Sequence, residues 1–241
     1  MQNYVSLLGD QVFWASFRNT IIFTFLAVNL EFLLGLGIAA LMARSLRGQS
    51  IKRSLIMAPM MFAPVLVGFQ FKWFFNQNVG LVNNVLTAIT GTLHNTAWLV
   101  DAPLGFLSIL AAEIWMSTPF MVIILLAGLL SVPQEPVEAA EVDGAGPWQR
   151  FRYVNFPMIQ PYIYVALAVR SLDISRAYDV VRIMTDGGPA HRTELVWTYV
   201  TRIVTDQNDL GLGAAMSMVT VVVASAFTVY LFRQLLKARY Q

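Results

Sequence analysis

The sequence has 241 residues, of which 57% are hydrophobic and only 12% are charged, and its mean hydropathy is +0.60. A soluble domain carries about a quarter charged residues, so this composition excludes an ordinary soluble protein and indicates an integral membrane protein. The net charge of +2 gives no support for nucleic-acid binding. The absence of cysteine excludes disulfides, thiolate metal sites and a cysteine nucleophile.

Five apolar segments are each long enough to cross a bilayer, for which about 20 residues are needed. We therefore predict an all-α, polytopic transmembrane helix bundle that forms a single domain over residues 1–241. The connection 76–103 has room for only a short helix, about Leu81–Ile89, so no separate external domain is predicted. The predicted segments run approximately over Phe17–Met42, Ser54–Phe75, Leu104–Leu130, Phe156–Ile183 and Leu212–Leu236.

Basic residues predict the orientation, because cytoplasmic loops carry an excess of Lys and Arg. The connection 76–103 has neither and is predicted to be external, as is 186–209 by alternation. Residues 1–16 then start outside without a cleavable signal pattern, so we expect either a further N-terminal helix in the full protein or an outside start. The cytoplasmic side is predicted from Arg44, Arg47, Lys52 and Arg53, from Arg150 and Arg152, and from Arg233, Lys237 and Arg239.

A polar island at 133–161 separates the third and fourth apolar segments. Pro133 and Pro136 are expected to end the third membrane helix, because proline cannot donate the helical hydrogen bond. A helix from Val137, a turn at 143–144 in which glycine permits a positive φ, and a second helix over about 147–154 should follow. The alternative is a plain amphipathic connection on lipid headgroups, which usually carries Lys and Arg rather than three carboxylates within six residues.

The sequence of this island resembles that of a known protein family. Residues 138–146 read EAAEVDGAG, followed by Phe151 and by FPMIQP at 156–161, which closely resembles the EAA signature of ABC importer permeases. In that family the island is a coupling helix that docks into a cleft of the ATPase subunit. The resemblance implies that the ATPase-coupling residues are Glu138, Ala139, Ala140, Glu141, Asp143, Gly144 and Phe151.

Further motifs extend the resemblance over nearly the whole chain. Asn19-Thr20 opens the first apolar run, Trp115 to Pro119 lies in the third, TDGGP follows the fourth at 185–189, and GAAMS opens the last at 213–217. The set is similar to MalF-like subunits of carbohydrate importers, whereas the sister subunits usually end in an A-x-K-G tail that this chain lacks. The resemblance implies a type I importer fold in a bacterial or archaeal cytoplasmic membrane.

The implied partners are a MalG-like permease, two ATP-binding subunits or a homodimer of them, an extracytoplasmic solute-binding protein and membrane lipid, with no nucleic acid. The chain has no G-x-x-x-x-G-K-[ST] sequence, so we expect ATP and Mg²⁺ to be bound by the partner ATPases. No catalytic residue and no cofactor are predicted in this chain. His94 and His191 stand apart without spaced acids, and no metal site is indicated.

The fourth segment contains charged residues that recur every third position, namely Arg170, Asp173, Arg176, Asp179 and Arg182. Charges in a bilayer need partners or water, so we predict a kinked or partly unwound helix that lines a hydrated cavity. The charges could contact a sugar, form a salt-bridged ladder, or indicate an anionic or zwitterionic substrate. Glu31 and Glu113, also in apolar runs, are functional candidates or paired structural residues. The family resemblance implies a substrate path lined by Arg170, Asp173, Ile174, Ala177, Tyr178 and Trp115.

Two other functions remain open at this point. A permease for a non-sugar solute, such as a glycerophosphodiester, would share the coupling island. A membrane scaffold or channel would share only the apolar segments.

Overall fold

The computed structural model describes residues 2–43 and 49–239, and this part of the chain is helical without strands. Arg44 and Arg47 of the first predicted cytoplasmic connection lie outside the described residues. In chain order the helices are α1 (Gln2–Gly9), α2 (Gln11–Met42), α3 (Gln49–Met57), α4 (Pro64–Phe74), α5 (Leu81–Thr90), α6 (Ala102–Leu130), α7 (Gln134–Val142), α8 (Pro147–Arg150), α9 (Phe156–Met158), α10 (Gln160–Ile174), α11 (Asp179–Met184), α12 (Val196–Thr205) and α13 (Leu210–Arg239).

Three helices of the described chain, α2, α6 and α13, are long and apolar enough to cross a membrane, and a bent pair raises the number to four. The first, third and fifth predicted segments therefore each become one long helix. The first begins at Gln11, earlier than predicted, because Asp10 caps it: its carboxylate accepts hydrogen bonds from the backbone N–H groups of Val12 and Phe13 at 2.9 and 3.0 Å. The short helix predicted over about Leu81–Ile89 is confirmed as α5.

The second predicted segment is not one straight helix. The stretch Ile51–Met61 and helix α4 meet at an angle of 91°. Pro64 is the first residue of α4 and cannot donate to the preceding turn, and Ala63 before it is extended with ψ of 137°. The two prolines of this stretch, Pro59 and Pro64, thus break a run that hydropathy alone reads as continuous.

The fourth segment is also broken, as its charges predicted. The pieces are α9, α10 and α11, and α10 ends at Ile174, with the chain leaving helical geometry before Asp179. At the break, the N–H groups of Arg176 and Ala177 donate to the carbonyls of Asp173 and Ile174, three residues back, at 3.1 and 3.0 Å. These tight turns replace the normal four-residue pattern and free the chain to change direction.

The main core lies between α2, α6 and α10, with large apolar side chains such as Phe23, Ile109 and Leu125 fully buried. Close approach of α2 and α6 depends on Gly35, since a Cβ there would lie 2.6 Å from the Cβ of Met121. A second, smaller core joins α1 and the start of α2 to α12 and α13. The first core carries the buried charges described below.

Candidate functional site

The guanidinium of Arg170 is the centre of a buried ion cluster that ties three helices together. Arg170 on α10 is 3% exposed and Glu31 on α2 is fully buried. Arg170 Nε donates to Glu31 Oε2 at 2.6 Å and Nη2 donates to Oε1 at 3.0 Å, which gives a two-pronged ion pair. Nη2 also pairs with Glu113 on α6, and Nη1 pairs with Asp173 one turn along α10. One cation is therefore shared by three carboxylates.

Two of these carboxylates are buried, and the third faces outward. Glu113 is almost as buried as Glu31, and its Oε1 also accepts a hydrogen bond from Ser117 Oγ at 3.3 Å. The side chain of Asp173 is 71% exposed. Arg170 is thus held from within the bundle by Glu31 and Glu113, while it holds Asp173 at the surface of α10. Both Glu31 and Glu113 are paired within the bundle, one of the two roles open from the sequence.

The remaining charges of the fourth segment do not continue this network as a ladder. Arg176 is exposed at the break. Arg182 on α11 forms its ion pair with Asp186, which is also 3.4 Å from Nη2 of Arg202 on α12. The break between α10 and α11 therefore separates the cluster around Arg170 from the ion pairs of Asp186 in the loop after α11.

The other residues of the predicted substrate path lie in different surroundings. Ile174 is 1% exposed and packs in the main core, whereas Ala177 and Tyr178 are half-buried at the break itself. Trp115 on α6 is 37% exposed, and its ring packs 5.5 Å from the ring of Phe71 on α4. Asp173, Ala177 and Tyr178 are thus the members of the predicted path on α10 and its break that keep some exposure.

The predicted coupling segment folds as a helix, a turn and a helix. Gly144 takes φ of +82°, as predicted, and its N–H donates to the carbonyl of Glu141 at 3.0 Å. The N–H of Ala145 donates to the carbonyl of Ala140 at 2.9 Å and completes the turn. Glu138 and Ala139 are exposed on α7, as is Asp143 at its end, and Ala140 is half-buried. The face of α7 at 138–139 is free for a partner.

One detail of this segment was predicted wrongly. Pro136 does not end the membrane helix: α6 ends at Leu130, and Pro136 lies in the first turn of α7, where its missing N–H leaves no helical bond unmade. Helix α7 therefore begins at Gln134 rather than at Val137. Pro147 is the first residue of α8, as predicted.

Internal contacts hold the two short helices together. Arg150 on α8 forms an ion pair with Glu141 on α7, so one of the predicted docking carboxylates is used within the chain. Phe151 begins a π-helical turn over Phe151–Asn155 and stacks on Trp148 with ring centroids 5.9 Å apart. Phe151 is thus an apolar anchor of the turn, half-buried between aromatic neighbours.

Sequence reasoning missed a buried acid in the loop after α11. Glu194 is fully buried, its Oε2 lies 2.5 Å from His191 Nδ1, and its Oε1 lies 3.4 Å from Arg202 Nη2. A Cβ at Gly187 would lie 2.6 Å from the Glu194 carboxylate, and Gly187 has φ of +74°. The glycine pair at 187–188 is typical of a turn or of a close contact with the backbone, but the sequence around it did not show that the contacting group is the carboxylate of Glu194.

The same loop brings two distant family motifs into contact. Asn19 Nδ2 donates to the carbonyls of Arg192 and Glu194 at 3.1 and 3.2 Å, and Thr20 Oγ1 accepts from the N–H of Val196 at 2.9 Å. The Asn19-Thr20 pair on α2 therefore positions the chain that follows the TDGGP sequence. The two motifs are thus linked in the structure by hydrogen bonds between the side chains of α2 and the backbone of this loop.

Comparison with known proteins identifies the chain. Residues 32–241 match the family model described as binding-protein-dependent transport system inner membrane component. The chain belongs to this family. The chain is 32% identical over 229 residues to the trehalose/maltose transport system permease protein MalF of Thermococcus litoralis, which covers 95% of this chain and 77% of that protein. It is also 32% identical to the sulfoquinovosyl glycerol transport system permease protein SmoG of Agrobacterium fabrum, over 95% of this chain and 74% of the relative.

Solved structures confirm the fold of this permease. The chain superposes with a TM-score of 0.88, at 21% identity, on a subunit of a bacterial ABC transporter involved in the import of the acidic polysaccharide alginate, over 98% of this chain and 83% of that chain. The methionine ABC transporter MetNI gives a TM-score of 0.63 at 15% identity. The predicted all-α ABC importer permease fold is confirmed, and the chain is a multi-pass membrane permease subunit.

Proposed function

We propose that this permease is the MalF-like half of a carbohydrate importer. It pairs with a MalG-like permease, while two ATP-binding subunits hold ATP and Mg²⁺ and an extracytoplasmic binding protein delivers the solute. The chain itself is non-catalytic and carries no cofactor, and the complex lies in the cytoplasmic membrane of a bacterium or archaeon. Similarity to permeases named for trehalose, maltose and sulfoquinovosyl glycerol supports a sugar as the solute.

The observation that carries the transport role is the exposed helix–turn–helix at 134–150. The exposed face of α7 offers Glu138 and Ala139 to an ATPase cleft, with the small side chain of Ala139 permitting close approach. Gly144 fixes the turn, and Phe151 anchors the second helix to its aromatic neighbours. Residues 133–161 therefore form the cytoplasmic coupling segment in this proposal, and 76–103 a short external connection.

Solute recognition is assigned to the partly open side of α10 at its break. The outward carboxylate of Asp173 accepts hydrogen bonds from neighbouring hydroxyls of a sugar, and Arg170 fixes its direction. The ring of Tyr178 and that of Trp115 offer apolar faces on which a sugar ring stacks. Ala177 is half-buried at the break, and Ile174 supports the path from the core rather than lining it.

Transport requires the coupling segment and the path to respond to the same two-state change. ATP binding draws the coupling segments together and favours the outward-open state, and hydrolysis reverses the preference. To shift the ratio of outward-open to inward-open complexes from 1:99 to 99:1, ATP must bind the outward-open state more tightly by about 5.5 kcal/mol. In this proposal the turn at Gly144 transmits the movement of the ATPase subunits to the membrane helices.

The test is uptake by the assembled complex in proteoliposomes, with the cognate binding protein outside and ATP on the ATPase side. ATP-dependent accumulation of a labelled di- or oligosaccharide is the expected result. Accumulation of a glycerophosphodiester and of no sugar would replace the carbohydrate assignment and keep the importer. Absence of ATP-dependent accumulation of any solute by an intact complex would remove the transport proposal itself.

A further inference from the structure

A groove of about 700 Å³ lies at the end of the bundle where α2 and α6 begin. One face of α2, the first turns of α6 and the loop after Pro189 form its walls. The groove is separate from the coupling segment and from the buried ion cluster. The side chains that define its chemistry are Arg18, Ile22, Leu26, Phe106, Leu107 and Arg192.

Two cations line this groove beside the loop after Pro189, a place called its mouth below, and the described residues supply no acidic partner for them. Arg18 and Arg192 are exposed, and neither takes part in an ion pair within residues 2–43 and 49–239. Asn19, next to Arg18, donates to the carbonyl of Arg192 at 3.1 Å and so fixes the loop against α2. The third basic group of the mouth, His191, pairs with the buried Glu194. The mouth therefore has an uncompensated positive charge.

Below the cations the groove is apolar and open. Ile22 on α2 is 43% exposed and Leu107 on α6 is 54% exposed, and Leu26 and Phe106 form the wall between them. Along α2 the groove is lined from Gln11 to Leu26, and its part from Arg18 to Leu26 has a rise of about 12 Å. Half the hydrocarbon thickness of a bilayer is about 15 Å, so the part of the groove from Arg18 to Leu26 fits within one leaflet.

The position of Arg18 agrees with a headgroup level. Helix α2 has 32 residues, a length of about 48 Å, which exceeds the hydrocarbon core of about 30 Å. Between Arg18 and Met42 the helix has no Lys or Arg, and its acid in this stretch, Glu31, is buried and paired. Arg18 thus marks the polar end of the apolar part of α2.

We propose that this groove binds an anionic glycerophospholipid. The phosphate lies between Arg18 and Arg192, and one acyl chain lies along Ile22, Leu26 and Leu107. A cationic mouth beside an apolar wall fits this amphiphile, because guanidinium groups pair with phosphate and the acyl chain packs on the apolar side chains. A water-soluble protein with an acidic patch is a poorer fit. Its carboxylates could pair with the two arginines, but the protein would not reach the apolar wall of the groove within the membrane.

Lipid retention by the purified complex tests the proposal. The full complex in detergent is titrated with phosphatidylglycerol, phosphatidylcholine or glycerol 3-phosphate, and bound molecules are counted by native mass spectrometry. Each arginine near an anionic headgroup contributes about fivefold in affinity. The double variant Arg18→Gln/Arg192→Gln should therefore bind phosphatidylglycerol about 25-fold more weakly, with phosphatidylcholine unchanged.

Matched variants separate the two halves of the groove. Arg233→Gln, which removes an exposed arginine of α13, should leave phosphatidylglycerol binding as it was. Leu107→Gln should weaken both lipids while glycerol 3-phosphate stays unbound. Equal binding of the two lipids by the unaltered complex, unchanged phosphatidylglycerol binding by the double variant, or efficient crosslinking of a cysteine at Ile22 to another subunit would each overturn the assignment.

Discussion

Arg170 and Glu31 lie 139 residues apart in the chain and meet in the middle of the bundle through two hydrogen bonds of 2.6 and 3.0 Å. Both side chains are buried, and the pair joins α10, the helix that breaks after Ile174, to the longest helix of the described chain. Glu113 adds α6 to the same cluster. Three helices around the proposed path are therefore held by one guanidinium.

Removal of this guanidinium should destabilise the protein strongly. Arg170→Met leaves Glu31 and Glu113 buried without a cation, and breaking a buried ion pair in this way costs about 3–5 kcal/mol. Thermal unfolding of the assembled complex measures the loss, with Arg176→Met at the exposed break as the matched control. The triple variant Glu31→Leu/Glu113→Leu/Arg170→Met should recover much of the stability, because it leaves neither glutamate buried without a cation. An Arg170→Met protein as stable as the Arg176→Met control would contradict the stabilising role of the ion cluster.

Two glycines of α2 should respond differently to the same substitution. A Cβ at Gly35 would lie 2.6 Å from the Cβ of Met121, whereas a Cβ at Gly37 meets no atom within 4 Å. Gly35→Ala should cost about 1–3 kcal/mol through overpacking of α2 against α6. Gly37→Ala should be neutral or stabilise by about 0.5–1 kcal/mol, because alanine favours the helix. Equal thermal stabilities of the two variants would argue against this helix contact.

Asp173 should affect uptake without affecting delivery. Asp173→Asn keeps the size of the side chain but removes the charge that Arg170 directs outward. We expect initial uptake to fall about tenfold or more, since the loss of a charge-assisted hydrogen bond is about 1.5–3 kcal/mol, while the affinity of the binding protein for its sugar and the assembly of the complex stay the same. Asp179→Asn on α11 is the control. If uptake fell in Asp179→Asn and not in Asp173→Asn, the assignment of the solute path to α10 would be wrong.

The two glutamates of α7 should differ in their effect on coupling. The carboxylate of Glu141 is paired with Arg150, whereas Glu138 is exposed on the face proposed to dock. Glu138→Gln should therefore lower ATPase activity stimulated by the loaded binding protein, and Glu141→Gln should lower thermal stability by about 0.2–1 kcal/mol, the range for an exposed ion pair. If Glu141→Gln lost more of the stimulated ATPase activity than Glu138→Gln, Glu141 rather than Glu138 would be the docking residue.

Local patterns in the sequence were sufficient for much of this fold. The helices α2, α6 and α13, the short α5 and the positive φ at Gly144 follow from apolar runs and from glycine and proline chemistry. The bend before Pro64 was missed because hydropathy averages over a proline. The first turn of α7 was misplaced because proline is tolerated at a helix start as well as beyond its end.

The ion cluster needed the structure, because its members come from three helices. The spacing of Arg170 and Asp173 allowed their pairing within α10 as one of several possibilities, but nothing in the sequence connected Arg170 to Glu31 or Glu113. Glu194 was missed for a similar reason, since Arg202 on α12 becomes its neighbour only through the fold of the loop around Gly187. Side chains that are distant in sequence are assigned to one site by packing.

The turn of the coupling segment is central to the proposed function, and Gly144 tests it most directly. Gly144→Val places a β-branched residue at φ of +82°, which such residues rarely adopt, although no neighbouring atom obstructs its Cβ. Gly146→Val is the matched control, because Gly146 has φ of −66° and ψ of 165° in the extended region. Binding-protein-stimulated ATPase activity of the reconstituted complex is the measurement. The account predicts that Gly144→Val abolishes stimulation while Gly146→Val retains it; full stimulation of an assembled Gly144→Val complex would contradict the claim that this segment couples ATP to transport.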